Sequence, residues 1–356
     1  MEETKSLGCC LFLLICLLTK TSACTDSLTA NVSITHVEND KGADGSPPSY
    51  YHGKGEGLGI NNWVIYLQGG GWCTTVKECQ QRSTTHLGSS KNLADSVHLG
   101  NILRQSSDTN PDFCDWNRVY INYCDGSSFT GDVDTIDPAI LSGTSAGGTA
   151  AILHCDRFRS LLPFDAKVKC FSDSAYFLHE EYLMGEKKFD TVFEGLITLH
   201  GSSQMLPSSC TEELTNNPSL CFFPQYVLPH IKTPVFIAMS SFDIIQVEYN
   251  LSPMHKVCLL YQNCTLIEMG EIEGLRLEFL HALPIANPSL RGIWVTSCIA
   301  HNLIEPSWSS SKTLSKDGKD YPDVFGNWFY DRCATDVIDL SIEAKNCSDI
   351  GINIVY

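Results

Sequence analysis

The stretch Ala139-Ile-Leu141-Ser142-Gly143-Thr144-Ser145-Ala146-Gly147-Gly148 decides the fold, together with Thr149 to Leu161, where apolar residues recur at helical spacing. It reads as an apolar strand, a glycine-flanked serine and a helix. Glycines two before and two after the serine let the chain turn sharply between strand and helix. Such a strained elbow lifts the serine hydroxyl above the edge of a parallel sheet. A glycine-rich turn without chemistry fits the same five residues. The strand before and the helical pattern after are the context that an elbow requires.

Working outward, short apolar runs rich in β-branched residues place strands at Trp63–Leu67, Arg118–Tyr123, Lys167–Phe171, Pro234–Met239 and Gly292–Thr296. Helical spacing recurs over Phe189–Leu199 and Gly274–Leu283. Residues 24–60 are polar and Gly/Ser/Pro-rich without a period, and a long polar stretch runs from Thr74 to Asn117. Apolar strands alternating with helices imply an α/β protein whose mostly parallel central sheet is flanked by helices. No repeat, low-complexity tract or linker divides the chain, so 24–356 reads as a single domain.

The first strand runs into Gln68-Gly69-Gly70-Gly71-Trp72. Acyl transfer passes through a tetrahedral oxyanion, which preorganised backbone N–H groups must meet. In serine hydrolases of the α/β class one donor comes from an upstream glycine-rich loop and another from the residue after the nucleophile. Here these are Gly69 or Gly70, and Ala146. A phosphate-binding loop is the competing reading, but neither G-K-[ST] nor G-x-G-x-x-G follows. The acid and the base should then follow Ser145 in that order. His301 lies just past the last apolar strand. Asp243 and Asp173 both sit at strand ends, where open α/β sheets build their sites. Asp243 is nearer the histidine in strand order, and Asp173 is the alternative.

The amino terminus has the plan of a secretory leader over residues 1–23. Lys5 supplies charge, Leu7 to Leu18 an apolar core, and Thr21-Ser22-Ala23 a small-residue cleavage site. Three of the 17 cysteines fall in that leader and fourteen remain. Secretion makes disulfides their default fate. No C-x-x-C pair suggests zinc, and serine acyl transfer needs neither metal nor organic cofactor. Sequons at Asn31, Asn250, Asn263 and Asn346 fit a secreted glycoprotein. No apolar run is long enough to cross a bilayer, so no membrane association is expected after cleavage. The net charge of −17 argues against nucleic-acid and anionic-membrane partners.

Several stretches carry a family resemblance. They include Asp44-Gly-Ser-Pro-Pro-Ser-Tyr50, Gly59-Ile-Asn-Asn-Trp63, Gly69-Gly-Gly-Trp-Cys73, Leu87-Gly-Ser-Ser-Lys91 and Asn110-Pro-Asp-Phe113. Further on come Tyr123-Cys-Asp-Gly-Ser-Ser-Phe-Thr-Gly-Asp132, Ser145-Ala-Gly-Gly148, Leu199-His-Gly201, Cys221-Phe-Phe-Pro-Gln-Tyr226 and Arg276-Leu-Glu-Phe279. Over about Gly42 to Arg332 the chain resembles the plant pectin acetylesterases, a family that also includes the animal Wnt-deacylating carboxylesterase Notum. The resemblance implies an α/β-hydrolase fold, secretion to the cell wall or apoplast, and removal of acetyl groups from pectin (homogalacturonan). It carries the nucleophile onto Ser145, the acid onto Asp243 and the base onto His301. It also supports Gly69, Gly70 and Ala146 as the oxyanion hole.

The chain departs from that pattern in places. Gln68 stands where the family has Glu, and Thr144 and Asn302 where it has Cys. The Cys that usually precedes the Asp44 motif is missing, and the cysteine pattern after Arg332 differs. The connection Cys124 to Pro138 shows no helical period and lacks roughly thirty residues that the family carries there, including a crossover helix before the elbow. An incomplete crossover is expected to expose part of the sheet and to threaten the placing of the elbow. Two other readings therefore stand beside a pectin esterase: a catalytically impaired, wall-bound binding protein, and an esterase for another O-acyl substrate.

Overall fold

The computed structural model describes residues 31–37, 44–128, 139–163, 166–180, 188–284, 290–303, 321–332 and 336–347. The leader expected at 1–23 lies outside the described residues. So does most of the segment from which a crossover helix is expected to be missing, residues 129–138.

Ten strands form one sheet. In chain order they are β1 (Val32–His36), β2 (Ser49–Gly53), β3 (Trp63–Leu67), β4 (Ser96–Val97), β5 (Asn117–Ile121), β6 (Ala139–Thr144), β7 (Val168–Asp173), β8 (Val235–Asp243), β9 (Arg291–Ala300) and β10 (Val337–Ile338). Their spatial order is β10-β9-β8-β7-β6-β3-β5-β2-β1-β4. From β10 to β5 every pairing is parallel. The β2, β1 and β4 strands extend that edge antiparallel. This is an α/β-hydrolase-like, mostly parallel sheet.

The sheet is buried on both faces because successive residues of each strand point to opposite sides. Ile65, Leu67, Leu141, Ile237 and Ile293 join one core cluster, and Val64, Tyr66, Ile140, Phe236 and Trp294 join the other. The first face is covered by α2 (Ala146–Leu153), α4 (Lys188–His200), α5 (Ile244–Asn250) and α6 (Leu266–Ala282). The second is covered by α7 (Tyr321–Phe329), which buries Val324, Phe325, Trp328 and Phe329. Two shorter helices complete the frame of the site: α1 (Val76–Arg82), and α3 (Cys155–Ser160) directly after α2. Among the described residues, no helix is long and apolar enough to cross a membrane.

Three features differ from the expectations. Residues 24–60 are not all loop, since β1 and β2 lie there. Val32-Ser-Ile-Thr-His36 and Ser49-Tyr-Tyr-His-Gly53 are short, and their alternation is hidden among Gly, Ser and Pro. The polar stretch 74–117 contains α1, started by a reciprocal capping box between Thr75 and Glu78. The sequon at Asn250 is not a glycan site in the folded chain: the residue is 2% exposed and its amide donates to the Leu178 carbonyl at 3.2 Å. Asn31, Asn263 and Asn346 are exposed.

Between described residues, disulfides pair Cys73–Cys79, Cys155–Cys170, Cys210–Cys221, Cys258–Cys264 and Cys298–Cys347, and Cys114 is disulfide-bonded as well. The second ties α3 to β7 beside the elbow helix. Cys298–Cys347 ties β9 to the carboxy-terminal segment, where Lys345 also pairs with Cys298. Cys124 remains a free, buried thiol.

Burial, with Asp125 and Asp44 nearby, pushes that thiol up to about 11 from an ordinary 9.0. The folded chain therefore keeps a proton that the unfolded chain releases. Its contribution to stability is complete below about pH 9 and is lost as pH rises towards 11, on the order of 2 kcal/mol in all. Urea unfolding of wild type and Cys124→Ala between pH 8.5 and 10.5 tests this. The wild type should lose stability more steeply than the variant, and equal slopes would contradict the assignment.

Candidate active site

The elbow is built by two close backbone approaches. β6 lies in register between β3 and β7, with Leu67 opposite Gly143 and Asp173 opposite Thr144. A Cβ on Gly143 would meet the Gly147 carbonyl oxygen at 2.2 Å, and one on Gly147 would meet that of Leu67 at 2.2 Å. Both positions therefore require glycine. Ser145 takes φ 56°, ψ −124°, outside the common regions for a residue with a side chain. Its N–H donates to the Asp173 carbonyl at 2.9 Å, and its own carbonyl accepts from Thr149 in the first turn of α2. The elbow is in place although the connection from β5 to β6 is short.

His301 follows the last residue of β9. Its Nε2 lies 2.9 Å from Ser145 Oγ, and its Nδ1 lies 2.7 Å from Asp243 Oδ2. Asp243 ends β8 and caps α5. Its other oxygen, Oδ1, accepts from the backbone N–H groups of Ile245 and Gln246, both at 2.9 Å. One carboxylate oxygen is thus locked into the fold and the other faces the imidazole. An ionised carboxylate only accepts, so Nδ1 carries its proton towards Asp243 and leaves the Nε2 lone pair for the serine hydroxyl. Asp243 is 1% and His301 8% exposed. The hydrogen bonds of this pair are therefore shielded from most competing water.

Asp173, the other acid at a strand end, has different work. It is fully buried, and its Oδ1 accepts from Ser174 Oγ at 3.3 Å and from the Leu303 N–H at 3.2 Å. Its Oδ2 accepts from Thr144 Oγ1 at 3.2 Å, and that hydroxyl also meets Tyr66 Oη at 2.6 Å. Asp173 thus fixes the strand before the nucleophile and the turn after His301.

The glycine-rich loop passes beside the serine. A Cβ on Gly69 would come within 3.2 Å of Ser145 Cβ and 2.4 Å of the Thr144 carbonyl oxygen, so the loop backbone lies flush against the elbow. Ala146 is the first residue of α2, where a backbone N–H has no intrahelical acceptor. The structure thus gathers Ser145, His301, Asp243, Gly69 and Ala146. The Gly70 carbonyl accepts from Arg82 Nη1 at 2.8 Å.

Sequence reasoning assigned no role to Ser128, Tyr123 or Phe177 around this centre. Ser128 Oγ donates to the Ala146 carbonyl at 2.9 Å and accepts from Trp72 Nε1 at 2.9 Å. Its N–H donates to Tyr123 Oη at 2.8 Å, so the loop after β5 is pinned to the start of α2. The Trp72 indole stands edge-on to Phe177 and Phe193, and the Phe177 ring centre lies 6.4 Å from that of His301. The available signal was Trp72 and Ser128 falling within two of the family-like stretches. Nothing in their spacing specified contact.

Comparison with known proteins fits this geometry. A family model described as Pectinacetylesterase matches residues 25–139 and 135–348, two stretches that meet at the short connection before β6. Pectin acetylesterase 11 of Arabidopsis thaliana is 38% identical over 362 residues, covering 89% of this chain and 92% of that protein. Pectin acetylesterase 7 of the same plant is 39% identical over 356 residues, covering 87% and 90%. The Wnt deacylase Notum from Drosophila matches in structure with a TM-score of 0.74, over 90% of this chain and 99% of that one. At 20% identity that match speaks to the fold. The chain belongs to the pectinacetylesterase family of carboxylic ester hydrolases.

Proposed function

We propose that this protein, synthesised with a leader at 1–23 and one domain over 24–356, is secreted to the cell wall. There it removes acetyl groups from pectin as a serine esterase. The observation that carries the reading is the continuous hydrogen-bonded chain from Ser145 through His301 to Asp243. In this mechanism His301 Nε2 takes the Ser145 proton as Oγ attacks the acetyl carbonyl carbon. The carbonyl oxygen becomes an oxyanion, which the N–H groups of Ala146 and of the Gly69–Gly70 loop stabilise. Asp243 holds the imidazole in its working tautomer and stabilises the cation that forms. Collapse expels the sugar hydroxyl, which takes the proton back from His301, and acetyl-Ser145 remains. Water activated by the same histidine then releases acetate.

The substrate class rests on the named relatives, pectin acetylesterases covering about nine-tenths of the chain. The charge of −17 refines it. A strongly acidic protein repels demethylated, polyanionic pectin, so heavily methyl-esterified acetylated pectin is the better substrate. Raising the ionic strength should then improve the rate on demethylated pectin more than on the methylated polymer.

Acetate release is measured from acetylated, highly methyl-esterified pectin beside p-nitrophenyl acetate. Wild type should act on both, and Ser145→Ala should be slower by at least about a thousandfold. Equal rates for the two proteins would remove the esterase reading. Cleavage of the small ester alone would remove pectin and favour another O-acyl substrate. Asp243→Asn retains the capping oxygen but loses the anion at the imidazole. Its kcat should fall about 10³–10⁴-fold with little change in melting temperature.

A further inference from the structure

We propose that Arg82 is a positioning residue for the oxyanion loop: its guanidinium captures the Gly70 carbonyl and so holds in place the loop whose Gly69 and Gly70 N–H groups serve as donors. The inference rests on the esterase reading above and concerns the same reaction.

Arg82 is the last residue of α1, and α1 is tied back to the loop it serves. The loop runs from Gly69 to Cys73, and the helix is capped by Thr75. The Cys73–Cys79 disulfide joins the end of the loop to the middle of the helix. Arg82 then closes the circuit through Nη1 to the Gly70 carbonyl at 2.8 Å. Behind it the guanidinium lies over the Tyr123 ring, 4.6 Å from its centre. The Gly126 backbone packs so closely that a Cβ there would meet Arg82 Nε at 3.2 Å. The Cys73 N–H donates to the Gly126 carbonyl at 3.2 Å, which joins the two loops on either side of the arginine.

Peptide geometry turns this contact into a constraint on the site. In a trans peptide the carbonyl and the next N–H point in opposite directions. With the Gly70 carbonyl held on Arg82, the peptide plane after Gly70 is fixed, which anchors the segment that carries the Gly69 and Gly70 N–H groups. Gly71 itself faces open space, with no atom within 4 Å of a Cβ placed on it. Gly70 and Gly71 have φ of 148° and 62°, so the chain there is held in conformations that flexible glycines would otherwise leave freely. Without an anchor the loop would sample many orientations, and its donors would not be preorganised.

The anchor is a poor structural investment by itself. Arg82 Nε and Nη2 are buried without a hydrogen-bond partner. Buried donors without partners cost stability unless something else is gained. The one donor that Arg82 does satisfy goes to the loop beside the nucleophile, so its placement serves the loop.

The test uses the full-length protein and p-nitrophenyl acetate, with Ser145→Ala as the inactive control. Arg82→Met keeps the apolar stem but removes the charge and the donor. Its kcat should fall at least about tenfold while KM stays within about threefold, because the oxyanion exists only beyond the ground state. Its melting temperature should match or exceed that of wild type. Arg82→Lys, whose ammonium can reach the same carbonyl, should recover a large part of kcat. An Arg82→Met protein with kcat within twofold of wild type overturns the proposal. So does a variant that loses kcat and KM together with melting temperature and is not rescued by Lys. A wild type inert towards the ester overturns the esterase reading and this one with it. An active wild type with an equally active Arg82→Met overturns this one alone.

Discussion

The site depends on backbone passing backbone with no side chain between. Gly143 lies against Gly147, Gly147 against the end of β3, and Gly69 against Thr144. These approaches fix where Ser145 emerges relative to the glycine-rich loop to within a fraction of an ångström. The nucleophile and the loop cannot drift independently, since each is the other's packing surface. β8 and β9 are then long enough to carry Asp243 and His301 to the same edge of the sheet. Every reacting group stands at a strand end, and the sheet is the ruler that spaces them.

Much of this was legible in the sequence, and the limits have physical causes. The elbow was readable because its glycines are demanded by contacts within a few residues. Six of the seven parallel strands were readable because burial makes each a nearly unbroken apolar run, whereas β10 has only two residues. The choice between Asp173 and Asp243 was not fixed by the residues alone. Both end a strand, and only three-dimensional placement shows that Asp243 faces the imidazole while Asp173 turns to Thr144 and Leu303. β1 and β2 escaped because antiparallel edge strands of five residues carry little apolar signal. Asn250 looked like a glycan acceptor because a triplet does not report burial. Arg82 escaped because its role depends on a carbonyl twelve residues away, reached around a helix.

The departures from the family pattern were absorbed locally. The Thr144 side chain joins a buried pair of hydroxyls with Tyr66 and reaches Asp173, so that position is satisfied by polar contacts. Asn302 takes a positive φ of 68°, and its N–H is held by Ser174 Oγ at 3.0 Å, which steadies the turn carrying His301. Neither change touches the reacting atoms. The short connection before β6 likewise leaves the strand paired with both neighbours along its length.

Cys124 has a different consequence, felt before the protein is finished. In the nascent chain its thiol has ordinary acidity and can attack any disulfide it meets. Four of the five pairs between described residues join cysteines no more than 15 residues apart, so they close early and locally. Cys298–Cys347 spans 49 residues and waits for β9 to be laid down. During that interval the exposed Cys124 thiol is one route to scrambled pairings, and its burial in the loop after β5 ends that hazard. The yield of correctly oxidised protein therefore depends in part on how soon Cys124 is enclosed.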